Sequence, residues 1–141
     1  MLSKRVLLVF VVALLLASLV GTSLAASVTP TFVDGNPSCT SLGYAYGYKV
    51  NANGAENNPW GTWPVGPGTI TISGPNQFPG GMPLDWSSNF GIDAVIVKGG
   101  NGANVYAYSP ESFGDSGLVA PLNQGGQDAA LSHVEFCYDY E

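Results

Sequence analysis

The segment Gly114-Asp115-Ser116-Gly117 has the residue types that surround a nucleophilic serine. Acyl transfer by such a serine needs a general base within hydrogen-bond reach and a carboxylate that orients this base. The only histidine, His133, follows Ser116, the reverse of the order found where this motif carries the nucleophile. We therefore assign no catalytic residue and expect Asp115 and Gly117 to form a turn.

The sequence also offers few side chains that could bind a metal ion, with one histidine and two cysteines. A zinc site takes three or four Cys, His or carboxylate ligands, so a single histidine predicts a hydrogen-bonded, structural His133 and no metal is assigned. Hard oxygen ligands suit calcium. Asp34, Asp115 and Asp128 therefore support a calcium-binding hypothesis, and no other cofactor is expected.

Trp60 and Trp63 lie three residues apart in a stretch rich in proline and glycine. Exposed indole rings in such a loop could stack on sugar faces or on partner proteins, and Trp86 would extend that surface. Large aromatic side chains are mostly buried, so the alternative is that these three rings cover the ends of the core.

The first 25 residues have the pattern of a secretory signal peptide. Two basic residues precede an apolar run from Val6 to Val20, and Ser23-Leu24-Ala25 provides small residues for cleavage after Ala25. The competing interpretation is a retained anchor, although a spanning helix needs about 20 apolar residues. We expect cleavage, with residues 26–141 forming a single secreted domain.

Cleavage would leave a strongly acidic chain. The cleaved chain would keep two basic residues, Lys49 and Lys98, and all ten acidic residues, so its net charge would be −8 with His133 neutral. A surface of this sign repels phosphate backbones. We expect no nucleic-acid partner and, after cleavage, no contact with the membrane.

Cys39 and Cys137 are the only cysteines in the chain. In an exported protein such a pair predicts a disulfide, and the alternative is two buried thiols that never meet. In the last predicted strand Cys137 alternates with Val134 and Phe136. Because Val134 and Phe136 bury more apolar area than the opposite face, we expect them in the core. The disulfide would then lie on the other face; in the alternative arrangement it spans the core.

Glycine and proline interrupt the chain every few residues, with short β-branched and aromatic runs between them. No 3.6-residue pattern follows the signal segment, which predicts an all-β fold. We expect a two-sheet antiparallel sandwich, either jelly-roll or immunoglobulin-like. The predicted strands are Val28–Val33, Tyr44–Val50, Thr69–Ser73, Ile92–Lys98, Asn104–Ser109 and Leu131–Tyr140, with Leu118–Leu122 as a short seventh. The residues between Lys98 and Asn104 are expected to form a hairpin loop.

Several segments of the chain together resemble a known type of module. They are Cys39–Tyr44, Asp85–Asn89, Gly91–Gly100 (GIDAVIVKGG), Ala103–Tyr108, Asp115–Leu118, Pro121–Asn123 and Leu131–Asp139 (LSHVEFCYD). This pattern is similar to a recurrent, uncharacterised β-module of secreted and cell-surface proteins of microbes. The resemblance implies a β-rich extracellular domain and carries no catalytic residues.

Export, a disulfide and the lack of a catalytic set favour a non-enzymatic extracellular module for binding or surface structure. Its expected partner is carbohydrate or protein at the cell surface. One alternative is a subunit of an extracellular filament or matrix, in which an edge strand at Val28–Val33 or Leu131–Tyr140 pairs with a neighbouring copy. A small secreted hydrolase is the last alternative.

Overall fold

The computed structural model describes residues 26–52, 58–74 and 83–140, and the predicted signal peptide lies outside them. The described chain is built from strands, with one 3-10 turn at Thr40–Leu42. In chain order the strands are β1 (Thr31–Asp34), β2 (Tyr46–Asn51), β3 (Gly61–Val65), β4 (Gly68–Ser73), β5 (Leu84–Gly99), β6 (Gly102–Leu118) and β7 (Leu131–Tyr138). No helix in this part of the chain has the length and apolarity to cross a membrane.

Strand β5 organises the sheet, and every strand pairing is antiparallel. The second half of β5 pairs with β6 and β7, and the strand order of this first layer is β1-β6-β5-β7-β2. The first half of β5 pairs with β4 and with the end of β6, and together with β3 these strands form a second layer. The β5–β6 register shifts between Ser87 and Ile92, and such irregularities bend strands.

The two layers face each other across the main core. Trp86 in the first half of β5 contacts Phe136 of β7, with ring centroids 5.6 Å apart. Phe90 likewise meets Tyr138 at 5.2 Å. The sequence prediction of an antiparallel all-β fold with a disulfide near its ends is thus confirmed. The layers arise from one hydrogen-bonded sheet folded across β5 and β6.

The apolar run in β5 is buried on both faces, as expected for a central strand. Val95 and Val97 point into the main core between the layers. Ala94 and Ile96 belong to a second, smaller apolar cluster on the opposite face. The residues before β2 cover that face, because Leu42 and Tyr44 pack against the cluster.

The disulfide lies in this second cluster, outside the main core. Cys39 and Cys137 are bonded, with their Cα atoms 5.2 Å apart, and both are fully buried. Val134 and Phe136 lie in the main core. The favoured sequence prediction is confirmed: the bond fastens the segment before β2 onto the outer face of the sheet.

Three strand predictions need correction. The stretch rich in proline and glycine that contains Trp60 and Trp63 is expected to be a loop, yet Gly61–Val65 forms β3 through a tight hairpin with β4. The Gly114–Gly117 motif, expected as a turn, belongs to β6 and pairs with β5. Leu118–Leu122 is no strand, since Leu118 ends β6 and Leu122 makes only an isolated bridge to Asp128.

One of the two proposed edge strands also differs from expectation. Strand β7 was predicted to lie at an edge, but it is paired on both sides, with β2 and β5. Among the described strands, β1 does lie at an edge, paired only with β6. It begins at Thr31, directly after Pro30, which has no N–H to donate to a ladder. The predicted β5–β6 hairpin is confirmed, with Gly99 paired to Gly102.

We expect Gly47→Ala to destabilise the fold because the disulfide lies directly over Gly47. A Cβ built there would lie 2.8 Å from Cys39 Cβ, 2.9 Å from its Sγ and 2.6 Å from Glu135 Oε1. Overpacking of this kind costs about 1–3 kcal/mol. Urea unfolding measures the change, and Gly125→Ala is the control, since its Cβ would meet only the Asn123 side-chain oxygen at 3.2 Å. Equal stabilities of the two variants would contradict the expectation.

Candidate functional site

The three tryptophans form no exposed surface together. Trp86 is 3% exposed and contacts Tyr108 and Phe136 in the core, which removes it from the predicted binding surface. Trp63 is half-buried against the same core, and its Nε1 donates to the Pro59 carbonyl at 3.0 Å. Trp60 also packs on the core. These positions match the alternative in which the rings cover the core.

The aspartates of the calcium hypothesis occupy separate positions. Asp115 Oδ1 accepts hydrogen bonds from the Ser27 N–H at 2.9 Å and the Ser116 N–H at 2.8 Å, and Oδ2 accepts from the Tyr108 hydroxyl at 3.0 Å. Asp34 ends β1, and Asp128 is exposed in the loop before β7. Within the described ranges no group of three or more His, Cys, Asp or Glu side chains is placed to hold a metal ion. The calcium hypothesis stays a prediction.

Two buried polar residues, His133 and Glu135, lie on the same face of β7 as Cys137, and each is 7% exposed. Glu135 Oε1 accepts from the Cys39 N–H at 3.3 Å, and its Oε2 lies 4.0 Å from Lys49 Nζ. His133 was expected to be hydrogen-bonded, but its Nε2 makes no hydrogen bond to the described residues. Burial, with the positive charges of Lys49 and Lys98, lowers the pKa of His133 to about 4. At neutral pH this imidazole is uncharged.

Tyrosines gather where β2 and β7 meet, at the end of the sheet opposite the β5–β6 hairpin turn. Tyr46 pairs with Tyr138, and their rings stack with centroids 5.6 Å apart. Tyr140 contacts Tyr46 edge-on at 4.6 Å and Tyr138 at 5.8 Å. Phe90 closes the group against Tyr138. We call these four rings the tyrosine platform.

The platform combines a buried anchor with exposed rings. Tyr138 is 6% exposed, whereas Tyr46 and Tyr140 are 44% and 54% exposed. Ring contacts fix the exposed pair, and a Cβ at Gly66 would lie only 2.7 Å from the Tyr140 hydroxyl. The rings therefore present apolar area in a set orientation, at little further cost in side-chain entropy on binding.

A groove adjoins the platform, and we call it the acidic groove. Its lining residues are Pro67, Phe90, Gly91, Glu111, Asp139 and Tyr140. Asp139 is held in place, because its Oδ1 accepts from the Ala45 N–H at 2.6 Å and its own N–H donates to Asp93 Oδ2 at 2.9 Å. The groove thus offers an aromatic wall and two carboxylates.

Burial raises the pKa of two tyrosines at this end of the sheet. Burial, with the negative charges of Asp93 and Asp139, raises the pKa of Tyr44. Burial, with the neighbouring Tyr140 and Tyr46, raises the pKa of Tyr138. At neutral pH these phenols are hydrogen-bond donors.

A second groove lies at the other end of the sheet, where Phe32 and Leu122 are 57% and 67% exposed. Asp34 and Asn123 also line it. Asn123 is committed to its own loop, because its Oδ1 accepts from the Gly125 N–H at 2.8 Å. This Phe32 groove has two apolar side chains but no stacked rings.

Sequence reasoning missed the tyrosine platform although its signal was present. Alternation in β2 places Tyr46 and Tyr48 on one face, and in the last strand Tyr138 and Tyr140 share a face. Only the β2–β7 register brings the two sets together, with Gly47 opposite Cys137. Phe90 and Glu111 lie where the β5–β6 pairing is irregular, around the register shift between Ser87 and Ile92, which no local pattern marks.

The resemblance to a secreted surface module stays a prediction. Comparisons with protein-family models, with curated proteins and with solved structures found no match to this chain.

Proposed function

We propose that this chain is a secreted, non-enzymatic module that binds extracellular carbohydrate at the tyrosine platform. The observation that carries the proposal is the exposure of Tyr46 and Tyr140 on a fixed aromatic base beside a groove with two carboxylates. Binding sites of this kind combine an apolar wall with a few polar groups that fix orientation. A sugar ring would place its apolar face on a tyrosine, and its hydroxyls would donate to the carboxylates.

Export is supported by two independent features. The first 25 residues have a signal-peptide pattern. The Cys39–Cys137 disulfide closes a span of 98 residues, and structural disulfides persist mainly in oxidising compartments. Both features fit a protein that works outside the cell or on its surface.

Replacing Tyr140 with alanine is expected to weaken binding to the preferred oligosaccharide at least about tenfold, as loss of a central aromatic contact does. Calorimetric titration against soluble oligosaccharides of several monomer types measures the affinity. Phe32→Ala is the matched control, since Phe32 is equally exposed but lies at the Phe32 groove. Loss of binding in Phe32→Ala with full affinity in Tyr140→Ala would contradict the proposal.

A filament subunit is the second candidate, favoured by the free edge of β1. An unpaired strand edge can add to the sheet of another copy. Sedimentation velocity at rising concentration separates the two functions. A strict monomer that binds oligosaccharide supports the binding module, and concentration-dependent growth into long assemblies supports the filament.

A further inference from the structure

We propose that the acidic groove selects a cationic amino sugar, a pyranose with a free, protonated amine, over neutral sugars. This inference rests on the proposed function, because it names the ligand class of the same site. The residues that support this inference are Glu111, Asp139 and Tyr140, which line one groove.

The Glu111 carboxylate lies against Gly91 at the groove. A Cβ placed on Gly91 would coincide with the carboxyl group of Glu111. The glycine therefore leaves the space in which this carboxyl rests against the β5 backbone. Asp139 is fixed by its hydrogen bond from the Ala45 N–H. Two carboxyl side chains therefore lie at one groove, and a hydrogen bond holds that of Asp139.

Nothing in the described part of the chain neutralises Glu111 or Asp139 with an ion pair. The lysines of this part are Lys49 and Lys98. Lys49 lies beside Glu135, and Lys98 Nζ donates to the Gly100 carbonyl at 2.6 Å. The positive charge that complements the groove would come from a ligand.

The size of the groove suits one ring-sized group, such as a single sugar residue. Its volume is about 170 Å³, below the several hundred Å³ of pockets that enclose larger ligands. One pyranose ring can lie against the exposed Tyr140 ring, with its ammonium near Glu111 and Asp139. An ammonium near a tyrosine face also gains a cation–π attraction.

Titration calorimetry at low salt tests the inference with three oligosaccharides of equal length. They are β-1,4-linked oligomers of glucosamine, of N-acetylglucosamine and of glucose, measured at a mildly acidic pH that protonates the amine. We expect the glucosamine oligomer to bind about tenfold more tightly than the neutral ones. Glu111→Gln should remove this preference, with a smaller loss of affinity for the neutral oligomers because an amide oxygen accepts more weakly than a carboxylate. Asp128→Asn should leave the preference intact.

Each outcome bears on the proposal. Equal affinity for all three oligomers would overturn the inference and leave the proposed function standing. No binding of any of them would overturn both. A lysine-rich peptide that binds more tightly than the glucosamine oligomer, with the same dependence on Glu111, would make the ligand a peptide and overturn the inference.

Discussion

Removing the disulfide by the double change Cys39→Ala and Cys137→Ala is expected to lower the free energy of unfolding by about 2–5 kcal/mol. The bond closes a loop with a sequence separation of 98 residues. For a loop of about 100 residues the chain-entropy model gives about 4.7 kcal/mol. Such a loss is a large share of the about 5–15 kcal/mol by which domains are stable.

The loss should also be local in structure. Leu42 and Tyr44 cover the outer face of the sheet only while the segment before β2 is fastened there. Hydrogen exchange should therefore become faster in residues 36–44 before it does in β5. Alanine is the appropriate replacement because both sulfurs are fully buried, and a serine hydroxyl would add its own burial penalty. Unchanged stability in denaturant, or free thiols in the unreduced protein, would contradict this prediction.

His133 is expected to make the fold sensitive to acid, at a cost of about 3 kcal/mol. The unfolded chain has an ordinary histidine pKa of about 6.5, whereas burial, with Lys49 and Lys98, lowers the folded pKa to about 4. Above the unfolded pKa both states are neutral and this contribution to stability is complete. As the pH falls towards the folded pKa, His133 becomes protonated in the unfolded chain but stays neutral in the folded protein. Stability is therefore lost in this window and levels off below it.

The chain contains one histidine, so its ring resonances can be followed by NMR without ambiguity. Their titration should report a folded pKa of about 4. Urea unfolding as a function of pH should show the loss of stability in the wild type and a smaller loss in His133→Gln. Lys49→Gln removes one of the neighbouring positive charges and should raise the pKa of His133. A folded pKa near the unfolded value of about 6.5 would contradict the assignment.

Much of the fold follows from local chemistry in the sequence. The continuous apolar run before Lys98 predicts a central strand, and this part of β5 is buried on both faces. Alternation in the last strand predicts which face carries Cys137, and Val134 and Phe136 indeed fill the core. These inferences succeed because each depends on the two-residue period of a strand and on apolar area alone.

The errors come from pairings between distant segments. Strand β3 contains Pro64 and Gly61, which argue against a strand, yet β3 needs pairing only on the side facing β4. The Gly114–Gly117 motif has turn-forming residues, but its backbone pairs with β5 and holds β6 extended. Tertiary pairing overrides local propensity at both places.

At the candidate site, too, the local sequence pattern was a poor guide. The tryptophans were the expected binding surface, but such large rings are mostly buried, and Trp86 is only 3% exposed. The exposed aromatic surface is instead made by tyrosines near strand ends, where Tyr46 meets Tyr140. Their meeting depends on the β2–β7 register. The disulfide prediction implies that these strands are close but does not fix which residues face each other.

An NMR titration of the wild-type protein with a glucosamine oligomer locates the binding site directly. We expect the largest chemical-shift changes in the tyrosine platform and the acidic groove, at Tyr46, Phe90, Glu111, Asp139 and Tyr140. Residues at the Phe32 groove, at the other end of the sheet, should stay unshifted. Changes confined to Phe32 and Leu122, or no changes at saturating oligosaccharide, would contradict the account.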